Sequence, residues 1–169
     1  GDLAVAELAG MGVETSHIAR LEVPTGHAII NVAPDGENAI VIYSSANIAQ
    51  SQDRILAALA DANEGDFCLL QNETNLVAFT AELARTKGLR VVYSAAPFDI
   101  DAAQDVLPYV DLLVVNEVEA AQLSEAMGVT PDHLPVPEWL ITKGAAGAVF
   151  HSGGQKIEVP AFEVEPVDT

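Results

Sequence analysis

Apolar positions follow two different patterns along this chain, and the change falls near Ser51. Before it, apolar residues dominate the runs 28–32 and 39–43, with Pro34-Asp35-Gly36 between them. The Asp-Gly step is a strong hairpin signal, because it tolerates the positive φ that a tight turn needs. Two antiparallel strands are expected here. Beyond Ser51, short apolar runs of strand length (67–70, 89–93, 112–115 and 139–142) alternate with stretches of helical period (76–87, 102–107 and 117–127). Such alternation predicts a mostly parallel sheet covered on both faces. The runs 147–151, 156–159 and 162–164 follow without helices between them, so the sheet should finish antiparallel. Ser51 can cap a helix over 53–62 with Ile55, Leu56 and Leu59 facing inward. Leu3, Leu8 and Met11 give one apolar face to a first helix that ends at Gly12.

The stretch 111–128 carries the most chemical information. The run 112–115 is continuously apolar, the pattern of a strand buried on both faces. Asn116 breaks it, Glu117 and Glu119 stand in the first turn of the following helix, and Gly128 stops that helix. The carboxyl end of a parallel strand is where an open α/β sheet binds its ligands. Here that end offers an amide and a carboxylate at i and i+3, a pair able to bind a hydrated Mg²⁺. The same residues also read as an N-cap Asn followed by acidic groups favoured by the helix dipole.

Composition narrows the classes of partner. The 169 residues are 50% hydrophobic, enough for one domain with a proper core. Against 25 acidic residues stand 7 basic ones, a net charge of -18. That argues against nucleic acid and against an anionic membrane as partners. A nucleotide stays compatible, because backbone N–H groups and Mg²⁺ hold phosphates without local Lys or Arg. Cys68 is the only cysteine and lies in an apolar run, which fits a structural thiol in a reducing, cytoplasmic compartment. No signal peptide or membrane-length apolar run is visible. Gly1 is not an initiator and Thr169 follows directly on a strand-like run, so the chain is expected to be an internal piece of a longer protein.

Further candidates lie at other strand ends. Thr142-Lys143-Gly144-Ala145-Ala146-Gly147 follows an apolar run, and its glycines would let exposed N–H groups form an anion-binding nest. An ordinary glycine turn explains the same residues, and the Lys-Ser/Thr of a Walker A loop is missing. Glu73 sits just past the run 67–70, where it could accept hydrogen bonds from substrate hydroxyls or simply be a solvated loop carboxylate. His17, His27, His133 and His151 show no metal-ligand spacing, and Trp139 is expected in the core. No G-x-G-x-x-G follows the first strand, which disfavours a dinucleotide-dependent oxidoreductase.

Taken together, PTGHAIINV, PDGENAIVIYSSAN, LLQNE, the AAP ending at Pro97, VDLLVVNEVEAAQL, WLITKGAAGA and VPAFEVEPVDT occur in the order and spacing of a ribokinase-like (PfkB) carbohydrate kinase. The resemblance covers nearly the whole chain. It implies a doubly wound α/β fold with a small β lid, in which residues 1–20 and 44–169 belong to the core and 21–43 to the lid. The implied activity is ATP-dependent phosphorylation of a sugar or sugar-like alcohol with Mg²⁺. Asn116 and Glu119 match the family's N-x-x-E, associated with Mg²⁺ and phosphate. Thr142, Gly144 and Gly147 match its nucleotide-phosphate turn, and Glu73 matches a carboxylate that meets the sugar. Asp168 matches the Asp that opens the D-T-x-G-A-G-D signature and helps hold a monovalent cation, K⁺, in ribokinase. The lid implies a homodimer, as in some members.

The chain also departs from the family pattern. It stops at Thr169, before the G-A-G-D that supplies the catalytic base, and it lacks the amino-terminal sugar-binding loop. By itself it is therefore expected to be inactive. Ser45-Ala46-Asn47 stands for Gly-Ala-Asn and Ser94-Ala95-Ala96-Pro97 for Asn-Pro-Ala-Pro, so no particular sugar is implied. The connection 130–138 is short where members usually carry a further helix. A reading from another class is a non-catalytic nucleotide-binding or oligomerising module.

Overall fold

A computed structural model describes residues 1–33 and 38–163 of the chain. They form two compact units, one running from Gly1 to Asp61 and the other beginning at Ala62.

The first unit contains helix α1 (Asp2–Gly10), strands β1 (His27–Val32) and β2 (Asn38–Tyr43), and helix α2 (Gln52–Ala58). The strands pair antiparallel, with Ile30 opposite Ile40, and make a two-stranded sheet of their own, as the apolar pattern predicts. Pro34-Asp35-Gly36, the expected turn, lies outside the described residues. At the base of the hairpin the incoming and outgoing segments meet at Gly26. A Cβ there would stand 2.7 Å from both Ser44 O and Asn47 Oδ1, so only glycine fits. Beside it Ser45 takes φ 40, a left-handed conformation, and its hydroxyl donates to Pro24 O at 2.6 Å.

The cap of α2 is as expected: Ser51 Oγ accepts the Arg54 N–H at 3.4 Å. Of the three residues of α2 expected to face inward, Ile55 and Leu59 are half-buried and Leu56 is exposed; the apolar face of α1, with Leu3 and Met11, is exposed, and neither helix contains a buried residue. Helical period alone forms a helix; burying its face takes apolar surface that a unit of this size does not supply. The second helix also ends at Ala58, four residues short of the apolar pattern.

The second unit is an α/β sheet of six strands in the order β3 (Phe67–Gln71), β4 (Arg90–Ser94), β5 (Leu112–Asn116), β6 (Glu138–Thr142), β7 (Ala148–Ser152) and β8 (Gln155–Val159). The first four are parallel and the last two antiparallel. Helices α3 (Val77–Thr86), α4 (Ile100–Val106) and α5 (Glu117–Met127) make the parallel connections. Right-handed crossovers that advance one strand at a time put all three helices on the same face. Accordingly α3 packs on α4 and α4 on α5, so these helices cover one face of the sheet rather than both, and Phe67 and Leu69 of β3 are exposed. Alternate strand residues point into this layer. Val91, Tyr93, Leu113 and Val115 are buried there, and Ala81, Ala84, Ala103 and Leu123 are buried on the helices. Complete burial of side chains such as Leu113 and Leu123 contributes roughly 1.5–3 kcal/mol each. Trp139 is half-buried and stacks on His151 with ring centres 4.8 Å apart.

Helix ends follow the sequence signals. Asp99 caps α4 by accepting the Ala102 N–H at 2.8 Å, and Gly128 ends α5 at φ 67. A 3-10 turn over Pro131–His133 fills the short connection to β6. The strand expected over 162–164 does not form in its described part: Phe162 lies in irregular chain and is 93% exposed. Pro160, which has no N–H to donate to a ladder, ends β8 at Val159. Among the described residues no helix is long and apolar enough to cross a membrane.

Candidate functional site

Four parallel strands end on one edge of the sheet, at Gln71, Ser94, Asn116 and Thr142. Side chains following adjacent ends are therefore neighbours, whatever their separation in sequence. Asn116 and Thr142 are register partners on β5 and β6, with Cα atoms about 5 Å apart at ordinary strand spacing. Glu73 follows β3, two strand spacings or about 10 Å from the β5 end.

At the β5–α5 junction Asn116 is the N-cap. Its Oδ1 accepts the Glu119 N–H at 2.9 Å, and Glu119 Oε2 accepts the Asn116 N–H at 2.8 Å. This is a complete capping box, in which two orphan donors are satisfied reciprocally. The N-cap reading of Asn-x-x-Glu is thus physically realised. It occupies one oxygen of Glu119 and leaves Oε1 outside the box. Glu119 is half-buried, whereas Glu117, two residues earlier in the same turn, is exposed and pairs with Lys143 at 3.8 Å.

Magnesium usually takes one or two carboxylates together with phosphate oxygens and keeps several waters. Glu119 Oε1 beside Asn116, at the positive end of α5, fits that demand through water. It does not make a cage: among the described residues no group of three or more His, Cys, Asp or Glu could hold a metal ion. Asp168, the residue matched to a monovalent-cation site, lies outside the described residues.

The turn between β6 and β7 is closed by its own backbone. Lys143 N–H donates to Gly147 O at 2.7 Å, Ala146 N–H to Lys143 O at 3.0 Å, and Gly147 N–H to Gly144 O at 3.1 Å. These bonds do not use the N–H groups of Gly144 and Ala145, both of which are exposed. The two glycines differ in role. Gly144, at φ 52, has open space where a Cβ would be; at Gly147, φ 95, a Cβ would lie 2.0 Å from Val159 O. Gly147 is therefore required by the chain's own packing, and only Gly144 leaves room for another molecule. Thr142 is exposed beside it.

Glu73 is exposed in the loop between β3 and α3. Sequence reasoning singled it out without the side chains that order this loop. Asn72, the residue before it, bonds with Tyr93 and Pro97 across the strand ends. Their partners stand 21 and 25 positions away, a distance at which spacing carries no signal. Lys143 was likewise not singled out, although its position inside the turn places it opposite α5. A cleft of about 620 Å³ lies elsewhere, in the first unit between α1 and the segments 17–25 and 46–50; it contains none of these residues.

The family model described as pfkB family carbohydrate kinase matches residues 1–169. A ribokinase of Haemophilus influenzae is 31% identical over 172 residues, covering 94% of this chain and 56% of that protein. The crystal structure of a ribokinase from Thermotoga maritima superposes with a TM-score of 0.81 at 29% identity, over 99% of this chain and 58% of that one. A ribokinase from Cryptococcus neoformans, solved in complex with ADP, gives a TM-score of 0.80 at 26% identity, over 99% of this chain and 61% of that one. The chain thus spans little more than half the length of these relatives, and its α/β fold, with the mostly parallel sheet and the small separate hairpin, is ribokinase-like. It belongs to the pfkB family of carbohydrate kinases.

Proposed function

We propose that the protein containing this chain transfers the γ-phosphoryl group of ATP to a hydroxyl of a sugar or sugar-like alcohol. The observation that carries this reading is the register pair Asn116–Thr142, which sets the Asn-x-x-Glu cap and the glycine turn side by side at the carboxyl edge of the sheet. Support comes also from the family, from relatives named ribokinase, and from the ADP bound by one of them.

Positioning and charge neutralisation do most of the work in such a transfer. Backbone N–H groups of Gly144 and Ala145 donate to phosphate oxygens, and the Thr142 hydroxyl is available beside them. Glu119 Oε1 and Asn116 would hold the waters of a Mg²⁺ ion, which would neutralise phosphate charge. Glu73 accepts from sugar hydroxyls and holds the acceptor in line. The hydroxyl oxygen then bonds to the γ-phosphorus as the bond to the β–γ bridging oxygen breaks. Its proton goes to a base that the family pattern places beyond Thr169. Asp168 belongs with a K⁺ ion in this reading, residues 21–43 form the lid, and the lid pairs two copies into a homodimer. A net charge of -18 is in keeping with a cytoplasmic enzyme that does not bind nucleic acid.

The test is ADP release by the intact gene product with a panel of pentoses, deoxypentoses, hexoses and nucleosides. Sugar-dependent release, with phosphate found on the sugar, is expected. The 169 residues assayed alone should give none, since proton-transfer catalysis is typically worth about 10²–10⁴ in rate. No sugar-dependent release by the intact protein would overturn the reading.

A further inference from the structure

We infer that Tyr93 and Asn72 are positioning residues for the sugar: together they hold the loop that carries Glu73 against the end of β4. The inference rests on the kinase reading above. Asn72 is the first residue after β3 and immediately precedes Glu73. Three of its polar groups are engaged across the edge of the sheet. Its backbone N–H donates to Ala96 O at 3.0 Å, its Nδ2 donates to Pro97 O at 3.0 Å, and its Oδ1 accepts the Tyr93 hydroxyl at 2.6 Å. The loop that would touch substrate from β3 is thereby tied to the loop that follows β4.

Tyr93 is the inner anchor. Its side chain is completely buried among the apolar residues of β4 and the helix layer. A buried hydroxyl without a partner is strongly disfavoured, so this bond fixes where Asn72 must sit. Burial pushes the phenol up to about 12, which keeps it a donor throughout the pH range of enzyme function. The other end of the loop is held as well. Leu76 adopts φ 61 and ψ 26, a left-handed conformation, and its carbonyl accepts both the backbone N–H and the hydroxyl of Thr80, at 2.9 and 2.8 Å. A left-handed leucine is strained and persists only where its surroundings over-determine it.

Residues 72–76 are thus pinned at both ends, with the exposed Glu73 between. A free surface loop would lose backbone and side-chain freedom on binding a sugar, and the affinity would fall by that amount. A loop already ordered does not incur the loss. The network should therefore act on sugar binding rather than on nucleotide binding or on the transfer step.

In the intact kinase, Tyr93→Phe keeps the ring and removes only the bond. The sugar KM should rise about fivefold to tenfold, while the ATP KM and kcat stay within about twofold, the signature of lost uniform binding. The double variant Tyr93→Phe/Asn72→Leu replaces both partners by apolar groups, which largely restores stability. Its melting temperature should recover while its sugar KM stays raised. Should Tyr93→Phe fail to fold, Asn72→Leu alone provides the same readout at a less buried position. A sugar KM within about twofold of the unaltered enzyme in these variants, or one that recovers together with the melting temperature, would overturn the inference and leave the network a purely structural one. Absence of any sugar-dependent ADP release by the unaltered enzyme would instead overturn the kinase reading, and this inference with it.

Discussion

Glu119 has two roles in this account, and a single substitution separates them. Its Oε2 closes the capping box with Asn116, and its charge is the candidate anchor for metal-bound water. Glutamine also closes such a box, so Glu119→Gln keeps the cap and removes only the charge. Loss of a negative charge from the first turn costs about 0.3–1 kcal/mol. Glu117→Gln loses the same dipole interaction and an exposed pair with Lys143, which adds less than about 1 kcal/mol. A purely structural account therefore predicts similar, small changes in melting temperature and nothing else. The kinase reading predicts asymmetry in the intact protein. For Glu119→Gln, the Mg²⁺ concentration at half-maximal rate should rise at least about tenfold, as expected when a group orienting metal-bound water is removed, and the limiting rate should fall. For Glu117→Gln both should stay within about threefold. Mg²⁺ titrations of the initial rate, with melting curves as a folding control, decide it. Superimposable titrations for the two variants would remove the metal role from Asn116 and Glu119.

At the scale of elements, the turn between β6 and β7 divides its two glycines between folding and binding. Gly147→Ala would drive a methyl group into Val159 O and the backbone of Pro160 and Ala161, so strands β7 and β8 would have to separate. A loss of several kcal/mol, or no soluble protein, is expected, because overpacking against immobile backbone has no cheap relief. Gly144→Ala meets no neighbour; it has only the strain of φ 52 to bear, roughly 1–2 kcal/mol. Its methyl group would stand where a phosphate approaches the Gly144 and Ala145 N–H groups. The ATP KM of the intact kinase should rise about tenfold or more with the protein still folded. An unchanged ATP KM in a folded Gly144→Ala variant would count against the nest.

The same elements show what was legible in the sequence. The four parallel strands and three helices of the second unit could be read because each apolar run ends in a residue that punctuates it, as at Gly88, Asn116 and Gly128. Boundaries moved by a residue where pairing continues past the apolar run, as at Gln71 and Ser94, whose polar side chains say nothing about their ladder bonds. Burial was less legible: Leu3 and Leu56 have the right period, yet both are exposed among the described residues. In the candidate site, spacing revealed Asn-x-x-Glu and the glycine turn without showing that they are neighbours. That depends on the β5–β6 register, set by contacts 26 residues apart, Asn116 against Thr142. The bond between Tyr93 and Asn72 was invisible for the same reason.

On the scale of the whole molecule, the hairpin is what a single copy leaves unexplained. Every residue of β1 and β2 is exposed, and an isolated two-stranded sheet is marginal in water. Its register sorts the side chains into two unlike faces. Ala28, Ile30, Val32, Ile40 and Ile42 share one face, which apart from Asn38 at its end is apolar; His27, Asn31 and Tyr43 are interspersed with Ile29, Ala39 and Val41 on the other. Neither strand contains an Asp, Glu, Lys or Arg, in a chain with a net charge of -18. Strands without charged side chains add nothing to the repulsion between two acidic copies, which is compatible with the homodimer proposed above. In the proposed lid dimer the apolar face is the one a second copy would cover. Added salt should then strengthen the dimer, since it screens the repulsion and there is no ion pair in either strand to weaken. Sedimentation equilibrium of the intact protein between about 0.05 and 0.5 M NaCl should show the dissociation constant falling as salt rises. Ile30→Asp, at the centre of the apolar face, should leave monomers at concentrations where Val41→Asp, on the mixed face, leaves dimers. Monomers from Val41→Asp alone would exchange the two faces, and dimers from both variants would place the interface away from the hairpin.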